Sequence, residues 1–503
     1  MTTVEDRHSA EDGPSAGDPS AQNGGYGYPA PLWKALERLR PPLKIFQPSV
    51  WRSPIRGPWL TSVFGLVLLV SLPIVIITGL LSYIAYQPQF AGNAFPANVH
   101  GLRLPHFAWP THPVWLYRLN QGTHVALGFA LIPIVLAKLW SVIPKLFTWP
   151  PARSLAQLVE RASLALLVGS ILFELATGVL NTQYDYVFGF DFYTAHYYGA
   201  WVFIAAFISH VALKFPTMRR SLKTRRLRDE LRTPLTRTEP EPLDVHGLVA
   251  TDPAPATMSR RGLLGLVGGA SALITVVTIG ETVGPRSFAL LSSRGQSYGD
   301  GPTDFQVNRT ARTAGITAVD TGATYRLVLV GGTEIQLTRE QLLALPQHTA
   351  RLPIACVEGW STMQTWTGVR LRDLAEMAGG NFASAEVLSL EKRGVFARAV
   401  LNRNQVMAAD SLLALKVNGV DLSPDHGYPA RVIVPALPGV HNIRSLVPGG
   451  ACHEGSADPL RHPAPGAYHH ARRPGTASPA RDAEHPARAR REGCEDRADA
   501  LER

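Results

Sequence analysis

Five apolar runs, each close to the ~20 residues that cross a bilayer core, follow one another between residues 60 and 280 of this chain. They are 60–84 (LTSVFGLVLLVSLPIVIITGLLSYI), 123–143 (THVALGFALIPIVLAKLWSVI), 163–181 (SLALLVGSILFELATGVLN), 196–215 (HYYGAWVFIAAFISHVALKF) and 262–280 (GLLGLVGGASALITVVTIG). One such run fits a buried helix of a soluble core. Five in succession point instead to an all-α transmembrane bundle of four helices plus a fifth span.

Lysine and arginine orient the bundle. Arg52 and Arg56 precede the first run, Lys145, Arg153 and Arg161 lie between the second and third, and MRRSLKTRRLR (218–228) with Arg260 and Arg261 lies between the fourth and fifth. The alternate loops, 86–121 and 182–195, carry few positive charges. The positive-inside rule then places the N-terminus in the cytoplasm and everything after residue 284 outside. The formal net charge of +10 is explained the same way, so no nucleic-acid partner is expected. A membrane is.

The remaining segments divide by composition. Residues 1–45 are rich in Gly, Pro, Ser and acidic groups and read as a disordered cytoplasmic tail, with no cleaved signal at the start. Residues 58–216 are the four-helix membrane domain, 217–261 a basic cytoplasmic linker and 262–284 the fifth span. The stretch 88–118, rich in Pro, Trp and His, reads as an outer loop at the membrane interface. Residues 300–444 have the texture of an α+β domain. TYRLVLVGGTEIQL predicts a hairpin, Thr338 a helix cap, and LRDLAEMAG a short helix ended by Gly379. EVLSLEK, VFARAVL, LLALKVNG and ARVIVPAL predict strands. From Ser445 onward, residues 445–503 lose apolar periodicity and become dense in Arg, Pro, Ala and His. That tail is expected to be disordered, or to be a shifted reading frame of a GC-rich gene that replaces the domain's closing strands.

Imidazoles within apolar runs are costly and mark function. His124 opens the second run, His196 opens the fourth, and His210 follows 14 residues later. Fourteen residues come within about 40° of a whole number of turns, so His196 and His210 share a face at depths about 21 Å apart. His124 and His196 lie near the same surface and are placed to clamp one haem b between the second and fourth helices. His210 is the candidate for a second haem near the inner surface, but no partner for it stands on the first or third run. Interfacial anchoring without metal is the plain alternative for all three. Glu174, mid-run, is either a proton or quinone group or an interhelical contact. Lys138 snorkels and needs no role.

Of three cysteines, two (Cys452 and Cys494) fall in the tail, so the body has a single thiol, Cys356, in LPIACVEGW. A disulfide framework is excluded. A zinc cluster lacks ligands at the required spacing. A buried bystander, a nucleophile and a ligand to a soft metal whose other ligands come from a cofactor stay open.

ACVEGWS followed by TWTGVRLRDLAEMAG resembles the molybdopterin domain of the sulfite oxidase superfamily, on its methionine-sulfoxide-reductase-like branch. The resemblance implies that Cys356 is the catalytic thiolate on molybdenum. VNGVDLSPDHGYPARVIVPALPGVHNIR resembles the family's second signature and implies pterin and phosphate contacts at His426, Arg431, Asn442 and Arg444. FQVNRTA is similar to its first pterin-contact stretch, implying Asn308. The four-helix block resembles bacterial cytochrome b561, including its two-histidine fourth helix, but lacks that family's first-helix histidine. SRRGLLGLVGGASA resembles a twin-arginine export signal, a route for cargo that folds around its cofactor first.

The expected protein is therefore multidomain, a membrane bundle followed by a sulfite-oxidase-type molybdopterin domain. Its expected function is electron transfer between membrane quinone, haem b and a small extracytoplasmic substrate such as a sulfoxide or sulfite. The rival is a haem b relay or anchor whose outer domain is non-catalytic. A transporter would want more spans and helices broken at the midplane.

Overall fold

The apolar runs form five helices long and apolar enough to cross a membrane. They are Pro58–Ala85 (α1), Leu116–Leu146 (α2), Leu155–Asn181 (α3), Phe192–Leu222 (α4) and Arg260–Val283 (α5). The computed structural model describes residues 43–44, 50–90, 93, 107–148, 155–181, 192–244, 247–283, 301–307, 309–379, 381–391, 397–446 and 450–453. The expected tail at 1–45 lies almost wholly outside these residues, and most of the expected tail at 445–503 does too. Each helix runs past the apolar stretch that announced it. Leaving hydrocarbon ends the need for apolar side chains, but the backbone ladder continues wherever propensity allows.

The outward faces of the bundle are apolar, with Leu213 70 % and Ile208 62 % exposed on α4, as a lipid-facing surface requires. Its interior packs Leu72, Leu131, Val135, Ile171 and Phe203 from α1 to α4. The end where the basic residues gather carries its own polar contacts. Thr61 Oγ1 donates to Ser141 Oγ at 3.0 Å, and Lys138 Nζ to the Thr61 carbonyl at 2.6 Å. Glu160 takes both Lys145 (3.2 Å) and Lys214 (2.9 Å).

The stretch expected as a plain basic linker is folded at this end. It contains the short helix Leu227–Arg232, and Glu241 accepts from the Trp59 amide at 3.0 Å. A carboxylate there answers the unpaired N–H groups and positive dipole end of α1. Arg260, at the start of α5, is buried. Its Nη2 donates to the Glu239 carbonyl at 2.9 Å, and Glu230 Oε2 lies 3.5 Å from its Nη1.

The second half is an α+β domain with two five-stranded sheets among the described residues. Its strands are Leu327–Val330 (β1), Glu334–Leu337 (β2), His348–Ala355 (β3), Ser361–Arg370 (β4), Ser384–Leu388 (β5), Arg398–Asn402 (β6), Leu412–Val417 (β7), Val420–Asp421 (β8), Arg431–Ile433 (β9) and Gly450–His453 (β10). One sheet has the order β2-β1-β10-β5-β6, and the other runs β3-β4-β7-β8 with β9 on β7. The expected hairpin is β1–β2, paired antiparallel through Leu327 and Leu337. Thr338 caps the helix Arg339–Ala344 (α6) in a reciprocal capping box with Gln341. Helix Leu371–Met377 (α7) follows β4 and is closed by Gly379 at φ 117.

Two features depart from the expected pattern. Strand β4, STMQTWTGVR, is the longest in the domain yet was not expected, because its Thr- and Gln-rich run lacks clean alternation. The boundary at residue 444 is corrected as well. Leu446 is buried and bridges Ser389, and β10 pairs parallel with β1 (Leu329 with Gly450) and antiparallel with β5 (Cys452 with Ala385). Composition misled here because strand pairing uses backbone groups that any residue but proline supplies.

Candidate functional site

Cys356 follows β3 directly and is 5 % exposed. Its amide donates to the Trp360 carbonyl at 2.9 Å, and its carbonyl accepts from the Gly359 amide at 3.1 Å. Gly359 has φ 97, a conformation that favours glycine, and a Cβ there would stand 2.7 Å from Val125 Cγ1 on α2. Trp360 Nε1 donates to Glu358 Oε2 at 3.0 Å, tying the loop across itself. The chain returns into β4. The result is a rigid turn that holds one thiol inside the cluster formed by Phe305, Leu352, Trp360 and Trp366.

The second group comes from the opposite end of the domain sequence. His426 ends a one-turn 3₁₀ helix, Pro424–His426, and stacks on Phe305 at 3.6 Å. Phe305 belongs to the same cluster as Cys356. His426 Nε2 donates to the Thr303 carbonyl at 2.7 Å, which fixes its tautomer. Burial, with Arg431 alongside, pushes its pKa down to about 3, so the ring is neutral. Gly427, at φ 104, lets the chain turn where a Cβ would meet both Arg431 and Arg444.

Arg431 opens β9, and its Nη1 donates to the His426 carbonyl at 3.3 Å. Arg444 Nη1 donates to the carbonyls of Arg309 (2.6 Å) and Asp425 (3.0 Å). Asn442 Oδ1 accepts from the Val434 amide at 2.9 Å. Arg309, which the sequence reading did not single out, joins the group and pairs with buried Glu391 at 2.7 Å. Asn308, its neighbour, lies outside the described residues.

Burial, with Arg444 nearby, pushes Arg431 well below the usual guanidinium range. Burial also lowers Arg444, against the pull of Glu391. Buried donors are left over: Nε of Arg309 and of Arg431, and Nδ2 of Asn442, have no hydrogen-bond partner among the described residues. Crowded buried cations with spare donors are what a phosphate relieves, because Arg binds its oxygens with charge-assisted bonds. The residues present therefore fit a phosphate-bearing pterin, with Cys356 as the soft ligand.

In the bundle, the structure brings His124 and His196 together. Their rings are 6.2 Å apart and nearly perpendicular, at 86°. Two imidazoles sharing one metal through bonds of about 2 Å have ring centres roughly 6 Å apart. His124 Nδ1 lies 3.0 Å from the Val75 carbonyl and 3.3 Å from Thr78 Oγ1. A carbonyl only accepts, so Nδ1 carries the proton and Nε2 keeps its lone pair. His196 Nδ1 faces Thr177 Oγ1 at 3.0 Å and Glu174 Oε2 at 3.2 Å, with the same consequence. Glu174 is thus the carboxylate partner of an imidazole, the arrangement that orients metal-ligating histidines. Both histidines and Glu174 line an apolar cavity among α1 to α4, whose space, counted together with its opening to the surroundings, is about 1280 Å³. These residues fit a bis-histidine haem. His210 is not part of that lining and lies within electrostatic reach of Lys138, Lys145 and Lys214.

The two sites meet. Val357, the residue after Cys356, lines the histidine cavity. Its carbonyl accepts from Gln121 Nε2 of α2 at 2.6 Å. Around this joint, Trp109 Nε1 donates to the Ala436 carbonyl (2.8 Å), Asn404 to the Trp109 carbonyl (3.1 Å), and Tyr86 packs edge-on against His441. Trp109, in the stretch that reads as an outer loop, is buried and bonds to the α+β domain. Sequence reasoning missed Gln121, Trp109, Arg309 and His441. Gln121 and Trp109 sit in no motif, and Arg309 and His441 lie in the two signature stretches but beside the residues to which the resemblance assigns contacts.

Residues 314–448 match the family described as the oxidoreductase molybdopterin binding domain. The uncharacterized oxidoreductase YuiH of Bacillus subtilis is 36 % identical over 102 residues, 20 % of this chain and 50 % of that protein. Mitochondrial sulfite oxidase of Mus musculus is 29 % identical over 153 residues, 24 % of this chain and 28 % of that protein. A solved structure, the sulfane dehydrogenase SoxCD of Paracoccus pantotrophus, aligns over 27 % of this chain and 40 % of its own at 22 % identity and a TM-score of 0.25. The chain thus spans half or less of these relatives' length. After five apolar helices, this chain therefore carries an α+β region that matches the oxidoreductase molybdopterin binding domain over residues 314–448 and is similar to sulfite oxidase.

Proposed function

We propose that the chain is a membrane-bound molybdenum oxidoreductase. It moves electrons between membrane quinone and a small extracytoplasmic substrate, a sulfoxide or sulfite, through haem b in a cytochrome b561-like bundle. The observation that carries this reading is that Val357, bonded in sequence to Cys356, forms part of the wall of the cavity lined by His124 and His196. A metal-binding thiol and a pair of metal-competent imidazoles are thereby separated by one residue and one helix turn.

When bound, the molybdenum–pterin group supplies two-electron chemistry at the substrate, and haem supplies one-electron chemistry in the membrane. The chain's own residues hold and isolate these groups. Cys356 presents its thiolate from a turn clamped by Gly359 and Trp360. Arg431 and Arg444, with Arg309 beside them, receive the pterin phosphate. Neutral His426 presents an uncharged edge, stacked on Phe305. His124 and His196 offer Nε2 lone pairs, oriented through Val75, Thr177 and Glu174. Membrane orientation follows the charges: Lys145, Arg161 and Lys214 gather at the end away from the α+β domain, which supports a cytoplasmic N-terminus and an extracytoplasmic domain.

The test is quantification of molybdenum, pterin and haem on one purified sample. One molybdenum and one haem per chain is the expected result. Haem without molybdenum returns the protein to an electron relay, and neither metal sinks both readings.

A further inference from the structure

The joint between bundle and domain is more specific than two surfaces in contact. Gln121 is 4 % exposed, and its amide is held at both ends: Ser82 Oγ donates to Oε1 at 2.8 Å while Nε2 donates to the Val357 carbonyl at 2.6 Å. Ser82 Oγ also lies 3.3 Å from Tyr117 OH. Because the Val357 carbonyl can only accept, the Nε2 end is committed to it, and the amide oxygen is left to take the Ser82 hydroxyl. Gln121 lies one helical turn before His124, and both line the cavity. Val125, the next residue, is the side chain that crowds the Cβ position of Gly359. The Cys356 turn is therefore seated on α2 by a short hydrogen bond on one side and by close packing on the other. Asn404 and Trp109 bond elsewhere in the joint, Asn404 to the Trp109 carbonyl and Trp109 to the Ala436 carbonyl, and neither lines the cavity.

We propose that Gln121 is the bridge for electrons between the two cofactors, a positioning residue that fixes the Cys356–Val357 backbone against the histidine cavity. This rests on the function proposed above. With both cofactors bound, the two electrons of each turnover would cross this joint singly, since a haem would supply one-electron chemistry. No atom is transferred across it. The path runs from the Cys356 sulfur along the backbone to the Val357 carbonyl, across the hydrogen bond to the Gln121 amide, and along one turn of α2 to His124. A bond chain fixed in geometry couples two centres better than a gap of fluctuating width.

The experiment uses the full chain carrying both cofactors, and needs no knowledge of the substrate. A flash-photoreduced flavin injects one electron into haem, and the haem absorbance then relaxes as the electron equilibrates with molybdenum. Gln121→Leu, which keeps the volume and removes the donor, is expected to slow this relaxation by about tenfold or more, as lost alignment does. Haem content, molybdenum content and haem midpoint potential are expected to stay unchanged. Asn404→Ala, which breaks a different contact of the same joint, is expected to leave the relaxation within about twofold of the parent, the scale of an ordinary surface change. If Gln121→Leu does not accumulate, Ser82→Ala releases the same amide and is expected to slow the relaxation in the same direction. An unchanged rate in a Gln121→Leu or Ser82→Ala protein loaded with both cofactors overturns the bridge and leaves the proposed function standing. Equal slowing by Asn404→Ala also overturns it, because docking in general would then be responsible. A parent protein that binds only one of the two cofactors overturns the function itself.

Discussion

The histidine cavity and the arginine cradle are both polar sites closed inside apolar surroundings, yet they leave different atoms over. In the cavity each imidazole spends its Nδ1 proton on a helix partner, and what is left is the lone pair of Nε2 and one oxygen of Glu174. In the cradle what is left are N–H groups, on Arg309, Arg431 and Asn442. Spare acceptors suit a metal and spare donors suit an anion. An unmatched buried polar atom costs about 1–3 kcal/mol, so such leftovers are informative about a missing ligand's charge.

The largest expected effect tests whether the two sites are independent. Cys356→Ser is expected to lose molybdenum-dependent turnover to background while keeping the haem absorbance. His124→Ala is expected to do the reverse, losing the haem band while keeping molybdenum. Unchanged molybdenum content and turnover in the first, or an intact haem band in the second, breaks the corresponding assignment.

The next effect sharpens the contrast in the cradle. Arg431→Met removes charge-assisted bonds worth roughly 1.5–3 kcal/mol, so cofactor retention on dialysis falls by about 10- to 100-fold. In the cofactor-free protein the same change is expected to raise the melting temperature, because it removes a buried, poorly compensated cation. Equal destabilisation with and without cofactor would mean that Arg431 serves the fold alone.

The pH dependence is smaller and has a definite sign. His426 and His441 are buried and held neutral, each with a pKa of about 3, in both cases chiefly by burial. In the unfolded chain they titrate near 6.5, so between about 3 and 6.5 the unfolded state binds more protons. Their contribution is complete above about pH 6.5 and is lost as the pH falls. At pH 5 that amounts to roughly 2 kcal/mol for each ring. Thermal melts of the full chain from pH 7.5 to 5 should show this slope, and His441→Phe should shallow it. The smallest effect lies away from both sites: Thr338→Ala removes a capping box and is expected to cost about 1 kcal/mol in chemical denaturation, with metal contents untouched.

What was legible beforehand follows from how each site is encoded. The bundle announced itself because lipid demands long unbroken apolar runs, and the alternation of the runs put His124 and His196 near the same surface. The cysteine turn and the His426–Arg431 pair were legible because each is compact in sequence. Arg309, Gln121 and Trp109 were not, since their roles depend on neighbours 82 to 327 positions away along the chain: Gln121 is an ordinary helix residue until Val357 arrives beside it. Strand β4 was hidden by its polar face, and β10 by a composition that resembles no strand at all.

That last strand has a consequence for how the domain comes into being. Gly450–His453 occupies the middle of its sheet, between β1 and β5. Until residue 453 has been synthesised, the β1–β2 hairpin and the β5–β6 hairpin have no shared partner, and β1 and β5 present two open edges that β10 closes in the finished sheet. Such edges invite pairing with other chains, and pairing Leu329 with Gly450 closes a long loop, which is slow. These two hairpins must therefore wait, unzipped, for β10, and they stay open to wrong pairing until synthesis reaches residue 453.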